Sequence, residues 1–146
     1  IASVDCEENK LKINYLNKSP EELNEREKFD IILNLEIVEH VNNLDLYLNS
    51  CYRLLKKNGI MFTATINRTF ISYIKAIIGA EYLLRWLPIG THDWNKFIKP
   101  EELQKKLTDK NFSTYDVKGL EFIPIFNKWK KSENLSVNYI ITSIKN

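Results

Sequence analysis

The chain has 146 residues, 44% of them hydrophobic and 27% charged, and its 21 basic and 19 acidic residues leave a net charge of +2. That length supports one domain with a real core, and the near-balanced charge argues against a dedicated nucleic-acid binder, which carries a basic excess or stripe. Cys6 and Cys51 are the two cysteines and lack CxxC spacing, so neither a disulfide framework nor a zinc knuckle is expected and a reducing compartment fits.

Asp5, Glu7, Glu8, Lys10 and Lys12 interrupt the first residues, so no apolar signal core is expected there. Lys12 to Leu16 alternates as a strand does. Ser19-Pro20-Glu21-Glu22 reads as a helix start, with a cap, a proline at the first helical position and acids in the first turn. Phe29 to Leu35 is a short apolar run that fits a strand buried on both faces, as in a parallel sheet. Leu44 to Lys57 has helical spacing and ends in Lys56-Lys57-Asn58-Gly59, cations followed by glycine. Ile60 to Ile66 is strand-like. Phe70 to Leu87 is an amphipathic stretch broken by Lys75, Glu81 and Arg85, too charged for a spanning helix. Pro100-Glu101-Glu102-Leu103 opens another helix, and Phe112 to Gly119 and Val137 to Ile144 are the last strands.

Alternating strands and helices predict an α/β fold with a mostly parallel sheet. The last two strands have no helix between them and should form an antiparallel edge pair. The glycines stand at 59, 79, 90 and 119, so no GxGxG turn of the kind that holds a nucleotide after a first strand can be drawn from them.

Leu35-Glu36-Ile37-Val38-Glu39-His40 follows the buried strand, where ligands of open α/β sheets sit. On a helical turn, Glu36, Glu39 and His40 would share one face. They could then bind a divalent metal or supply a general base. The simpler alternative is a helix start with acids at its N-terminus. His92, in the stretch Gly90-Thr91-His92-Asp93-Trp94, either faces a substrate pocket or belongs to a polar turn over Trp94.

The segments FDIILNLEIVEHV, GAEYLLRWLPIGTHDW, KFIKPEEL and the Val137-Asn138-Tyr139 strand occur together. In that combination the chain resembles the carboxy-terminal part of the ubiquinone-biosynthesis O-methyltransferases, the UbiG family of class I S-adenosylmethionine-dependent methyltransferases. The resemblance covers about residues 11 to 146. It implies a Rossmann-like sheet, with the first strands and glycine-rich loop not represented here. It implies O-methylation of a polyprenylated hydroxyquinol or catechol precursor, with S-adenosylmethionine as cofactor and magnesium as an accompanying ion. Leu35 would touch the cofactor beside its adenine. Glu36, Glu39 and His40 would be the magnesium ligands, with a base role open to His40, and His92 would face the substrate. Residues 68–95 would form an insertion, and its 70–87 stretch would touch a membrane lipid surface and gate the substrate. The implied location is cytoplasmic, on the inner face of a bacterial cell membrane, with other ubiquinone-biosynthesis enzymes as candidate partners. A non-catalytic remnant or lipid-binding module of the same fold is the alternative, as is a methyltransferase for another small molecule.

Overall fold

The computed structural model describes residues 13–24, 26, 28–74, 93–123 and 126–146. Residues 13–16 lie outside any strand, contrary to the alternation there, and Ile13, Tyr15 and Leu16 stay about half exposed. The start signal at Ser19 works but yields one 3-10 turn, Pro20–Glu22. The Glu22 carboxylate accepts from the Ser19 N–H (2.7 Å) and hydroxyl (3.1 Å), which holds its pKa below the ordinary value.

Strand β1 is Phe29–Leu35, helix α1 is Leu44–Leu54 and strand β2 is Leu55–Ile66. A single helical turn, Phe70–Ser72, and a 3-10 turn, Trp94–Lys96, precede helix α2, Pro100–Asp109. Strands β3 (Phe112–Ile123), β4 (Lys128–Ser132) and β5 (Asn138–Lys145) complete a five-stranded sheet of order β1-β2-β5-β3-β4.

The α/β class is as expected. The balance of the sheet is not: among the described strands, β1–β2 is parallel and the other three ladders are antiparallel. The reason is connectivity. A parallel pair needs a crossover such as α1, whereas β3, β4 and β5 follow one another without a helix and turn back each time. The expected β3–β5 pair forms, but β5 is inserted between β2 and β3. The outer place belongs to β4, whose Lys-Trp-Lys-Lys-Ser sequence gave no apolar signal.

Helix α1 ends before its lysines. Asn43 caps its start by accepting from the Leu46 N–H at 3.0 Å. Leu55 then turns extended (φ −82°, ψ 140°), so Lys56 and Lys57 belong to β2. The cations at the helix end come from elsewhere: Lys145 Nζ donates to the Tyr52 and Leu55 carbonyls at 2.7 Å, and Lys28 donates to that of Arg53.

Both helices cover one face of the sheet. Leu48 and Cys51 of α1, Leu103 and Leu107 of α2, and Met61, Phe112, Tyr139 and Ile141 of the strands form the buried core. Fully burying each large side chain contributes about 1.5–3 kcal/mol. Alternation along β1 sends Ile32 and Asn34 to this face. Ile31, Leu33 and Leu35 go to the other, where they are 54, 58 and 53% exposed. Among the described residues α1 and α2 lie on the same side, so the expected cover on both faces of β1 is found on one face only. Gly119 fixes the β3–β4 hairpin: a Cβ there would stand 1.9 Å from the Asn134 carbonyl oxygen, so only glycine lets residues 132–134 approach.

Candidate active site

Just past the carboxyl end of β1 stands Glu36, among the described residues the one acidic residue in a left-handed conformation. Among the described residues, Glu36, Asn58, Asn111 and Asn127 have positive φ. Asparagine tolerates that region, but glutamate is held there at a cost of about 1–3 kcal/mol, and such strain gathers at functional sites. The Glu36 N–H still donates to the Ala64 carbonyl (3.0 Å), so the turn is pinned to β2. This φ of 54° explains why the helical-face expectation fails. Residues 38–40 form a turn, with the His40 N–H donating to the Ile37 carbonyl at 2.8 Å.

The turn brings Glu36 and Glu39 together and leaves His40 exposed and apart. Among the described residues no three His, Cys, Asp or Glu side chains come together in a metal-binding group. Glu39 is 3% exposed, and its Oε2 accepts from the Thr65 hydroxyl at 2.6 Å. Its Oε1 is buried without a hydrogen-bond partner, a position few native carboxylates leave empty. Glu36 keeps exposed surface as a residue, yet its carboxyl is crowded against Glu39 and Asn138. Loss of hydration, then the charge of Glu39 and their mutual hydrogen bond, push its pKa to about 8, against the pull of Asn138. The crowding of the two carboxyl groups thus favours the protonated form of Glu36 well above the ordinary carboxylate range.

The neighbours come from distant segments. Thr65 is next to last in β2, Asn138 begins β5, and the buried Tyr139 hydroxyl donates to the Ile98 carbonyl at 2.9 Å. Burial and the acids around it raise the Tyr139 pKa well beyond the ordinary phenol value, so it remains a donor. A cavity of about 300 Å³ touches Glu39 and is bounded by Val38, Val41, Leu44, Lys96 and Ile98. The sequence had shown no role for Thr65. Asn138 stood in a recognised strand but without an assigned contact.

Leu35 is exposed at the end of β1 on the uncovered face, next to Glu36. His92 and residues 75–92 of the expected insertion lie outside the described residues. Of the insertion's beginning, Phe70 is 74% exposed, and Ile71, Tyr73 and Ile74 are 47, 39 and 43% exposed. Tyr73 packs edge-on against Trp94, ring centroids 6.4 Å apart. No helix among the described residues is long and apolar enough to cross a membrane.

The methyltransferase-domain family model matches residues 2–117. A ubiquinone biosynthesis O-methyltransferase of Pelagibacter ubique is 53% identical over 146 residues, covering 100% of this chain and 61% of that protein. One from Bartonella tribocorum is 46% identical over 142 residues, covering 97% and 58%. The chain therefore spans about three-fifths of the length of these curated relatives. Among solved structures, an S-adenosylmethionine-dependent methyltransferase of Thermotoga maritima, described as a possible histamine N-methyltransferase, superposes with a TM-score of 0.66. The match covers 94% of this chain and 67% of that one at 19% identity, a likeness of fold alone. The chain belongs to the methyltransferase-domain family, and its resemblance within that family is to the ubiquinone biosynthesis O-methyltransferases.

Proposed function

We propose that this chain serves O-methylation of a polyprenylated hydroxyquinol or catechol precursor in ubiquinone biosynthesis, with S-adenosylmethionine as methyl donor. The observation that carries the reading is the Glu36–Glu39 pair at the carboxyl end of β1, with a buried Glu39 oxygen left without a partner. S-adenosylmethionine supplies, when bound, an electrophilic methyl group on a sulfonium. The exposed apolar surface of Leu35 at the same strand end suits the edge of an adenine ring. A catechol hydroxyl must lose its proton to attack that methyl. In this reading Glu39 accepts the proton, Thr65 orients its carboxylate, and protonated Glu36 donates a hydrogen bond to the acceptor.

Magnesium belongs to the same proposal. Two carboxyl groups side by side, one with an orphaned oxygen, are hard donors suited to a hard cation. With magnesium bound, Glu36 and Glu39 would both be ionised and would hold the cation in place of the Glu36 hydrogen bond and the Glu39 base role; a bound dication would lower the pKa of the acceptor hydroxyl. His40 and His92 are not needed for that arrangement. Calorimetry in two buffers of different protonation enthalpy checks it: Mg²⁺ binding at neutral pH should release the Glu36 proton.

The lipid contact is proposed on the apolar exposure of Phe70, Ile71 and Ile74 at the start of the insertion. It would place the protein peripherally on the inner face of the cell membrane, where a polyprenyl acceptor resides. Flotation with anionic vesicles should weaken in a Phe70→Asp, Ile74→Asp variant, and unchanged flotation overturns this part.

Transfer of labelled methyl to a prenylated catechol by the protein carrying this chain tests the whole. Glu39→Gln should lower kcat about 100-fold, the usual scale for loss of a positioned base. Undiminished turnover in that variant, or no transfer to any catechol, sinks the proposal.

A further inference from the structure

We propose that the groove between the β3–β4 hairpin and residues 134–138 binds the apolar tail of the acceptor and sets the preference for tailed over tail-less substrates. The inference rests on the catechol-methylation reading above. The groove measures about 520 Å³, within the range of small-ligand pockets. Leu120, Phe122, Ile123, Trp129 and Val137 give it apolar walls, and Asn138 is part of its lining.

Asn138 is the connection. It lines the groove and stands opposite Ile66 at the end of β2, two residues along from Ala64, which pairs with Leu35 beside Glu36, so the groove begins near where the carboxylate pair ends. From there the sheet register sets the direction. Leu120 is opposite Asn138, and Phe122, two residues further along β3, is opposite Trp129. Two residues of strand span roughly 7 Å, so the aromatic pair stands one short step from the reacting end. Phe122 and Trp129 are 5.3 Å apart between ring centroids at 48°, a tilted wall rather than a sealed stack, and Trp129 remains 60% exposed.

The polar side chains at the rim are engaged with one another. Glu121 Oε1 accepts from the Ser132 hydroxyl at 3.0 Å and from Asn134 Nδ2 at 3.3 Å. The groove thus offers a ligand the apolar and aromatic surface of Leu120, Phe122 and Trp129 beside a polar margin of Asn134, Ser136 and Asn138. That is the shape of demand made by a molecule with a polar ring and a hydrocarbon tail. Gly119 supports the arrangement, because residues 132–134 could not close over β3 with any side chain at that position.

The test compares a catechol bearing a farnesyl-length tail with its tail-less analogue, using the protein that carries this chain. Calorimetric binding and steady-state methyl transfer are both measured for the wild type, Trp129→Ala, Trp129→Phe and Phe122→Ala. The expected result is that Trp129→Ala and Phe122→Ala weaken binding of the tailed catechol and raise its KM about tenfold, as loss of apolar pocket contacts does. They should leave kcat, the tail-less catechol and S-adenosylhomocysteine binding unchanged, and Trp129→Phe should restore most of the loss. Equal effects on both catechols, or no tail preference in the wild type, overturn the inference. Tail-dependent binding that Trp129→Ala abolishes, without methyl transfer to either catechol, supports the groove while defeating the proposed reaction.

Discussion

Between its ordinary value of 4.5 and about 8, Glu36 carries a proton in the folded chain that it would have lost in the unfolded one. The folded state therefore binds more protons in that window, and stability declines as pH rises through it. The contribution is fully present below the ordinary carboxylate value and gone above about 8. Solvent at the exposed side of Glu36 reduces its size. Urea midpoints measured across that range should fall with pH in the wild type and fall less in Glu36→Gln; parallel profiles would show that Glu36 is not the group responsible. Removing the neighbouring charge with Glu39→Gln should also return Glu36 toward its ordinary value, visible as a shift of its carboxyl resonance in an NMR titration. The sequence displayed both glutamates and placed them at a strand end. It could not show their geometry, since a 3.6-residue spacing argument fails once Glu36 adopts φ 54°. Nor could it show Thr65 or Asn138 beside them, because each comes from a different strand.

The helices owe their limits to different causes. Helix α2 was legible because Pro100 occupies the first position and Glu102 accepts from the Lys99 N–H at 3.3 Å, all within four residues of sequence. Glu102 also pairs with Arg68, so it ties the helix start to the segment after β2. Glu102→Ala should cost about 1 kcal/mol, measured by chemical denaturation. The end of α1 was misread because Lys56-Lys57-Asn58-Gly59 has the composition of a helix terminus, while tertiary hydrogen bonds from Lys145 end the helix two residues earlier than those lysines. Leu103, fully buried between α2 and the sheet, is the sharper probe of packing. Leu103→Ala should destabilise the fold by about 2–5 kcal/mol, and a loss under 1 kcal/mol would contradict the core described here.

At the scale of the molecule, the described residues leave the face of β1 opposite α1 and α2 exposed. Ile31, Leu33 and Leu35 are all more than half exposed on a strand that, among the described residues, has a partner on one side only. A dye that fluoresces on apolar surface should bind the folded 146-residue chain, and Leu33→Lys should reduce that signal without lowering the unfolding midpoint. The alternation of FDIILNL was readable, whereas the number of faces covered was a matter of where α1 and α2 would lie. The position of β5 has a different consequence. Its Ser143 hydroxyl donates to the Met61 carbonyl across 82 residues, and it pairs with β2 on one side over 138–144 and with β3 on the other over 138–145. Among the described strands it comes after the other four in chain order, so a ribosome delivers β1 with β2, and then β3 with β4, as two separate pieces. During translation each piece waits with an open edge until residues 138–145 emerge and join them. Loss of residues 138–145 alone would therefore leave two sheets, β1 with β2 and β3 with β4, where there had been one.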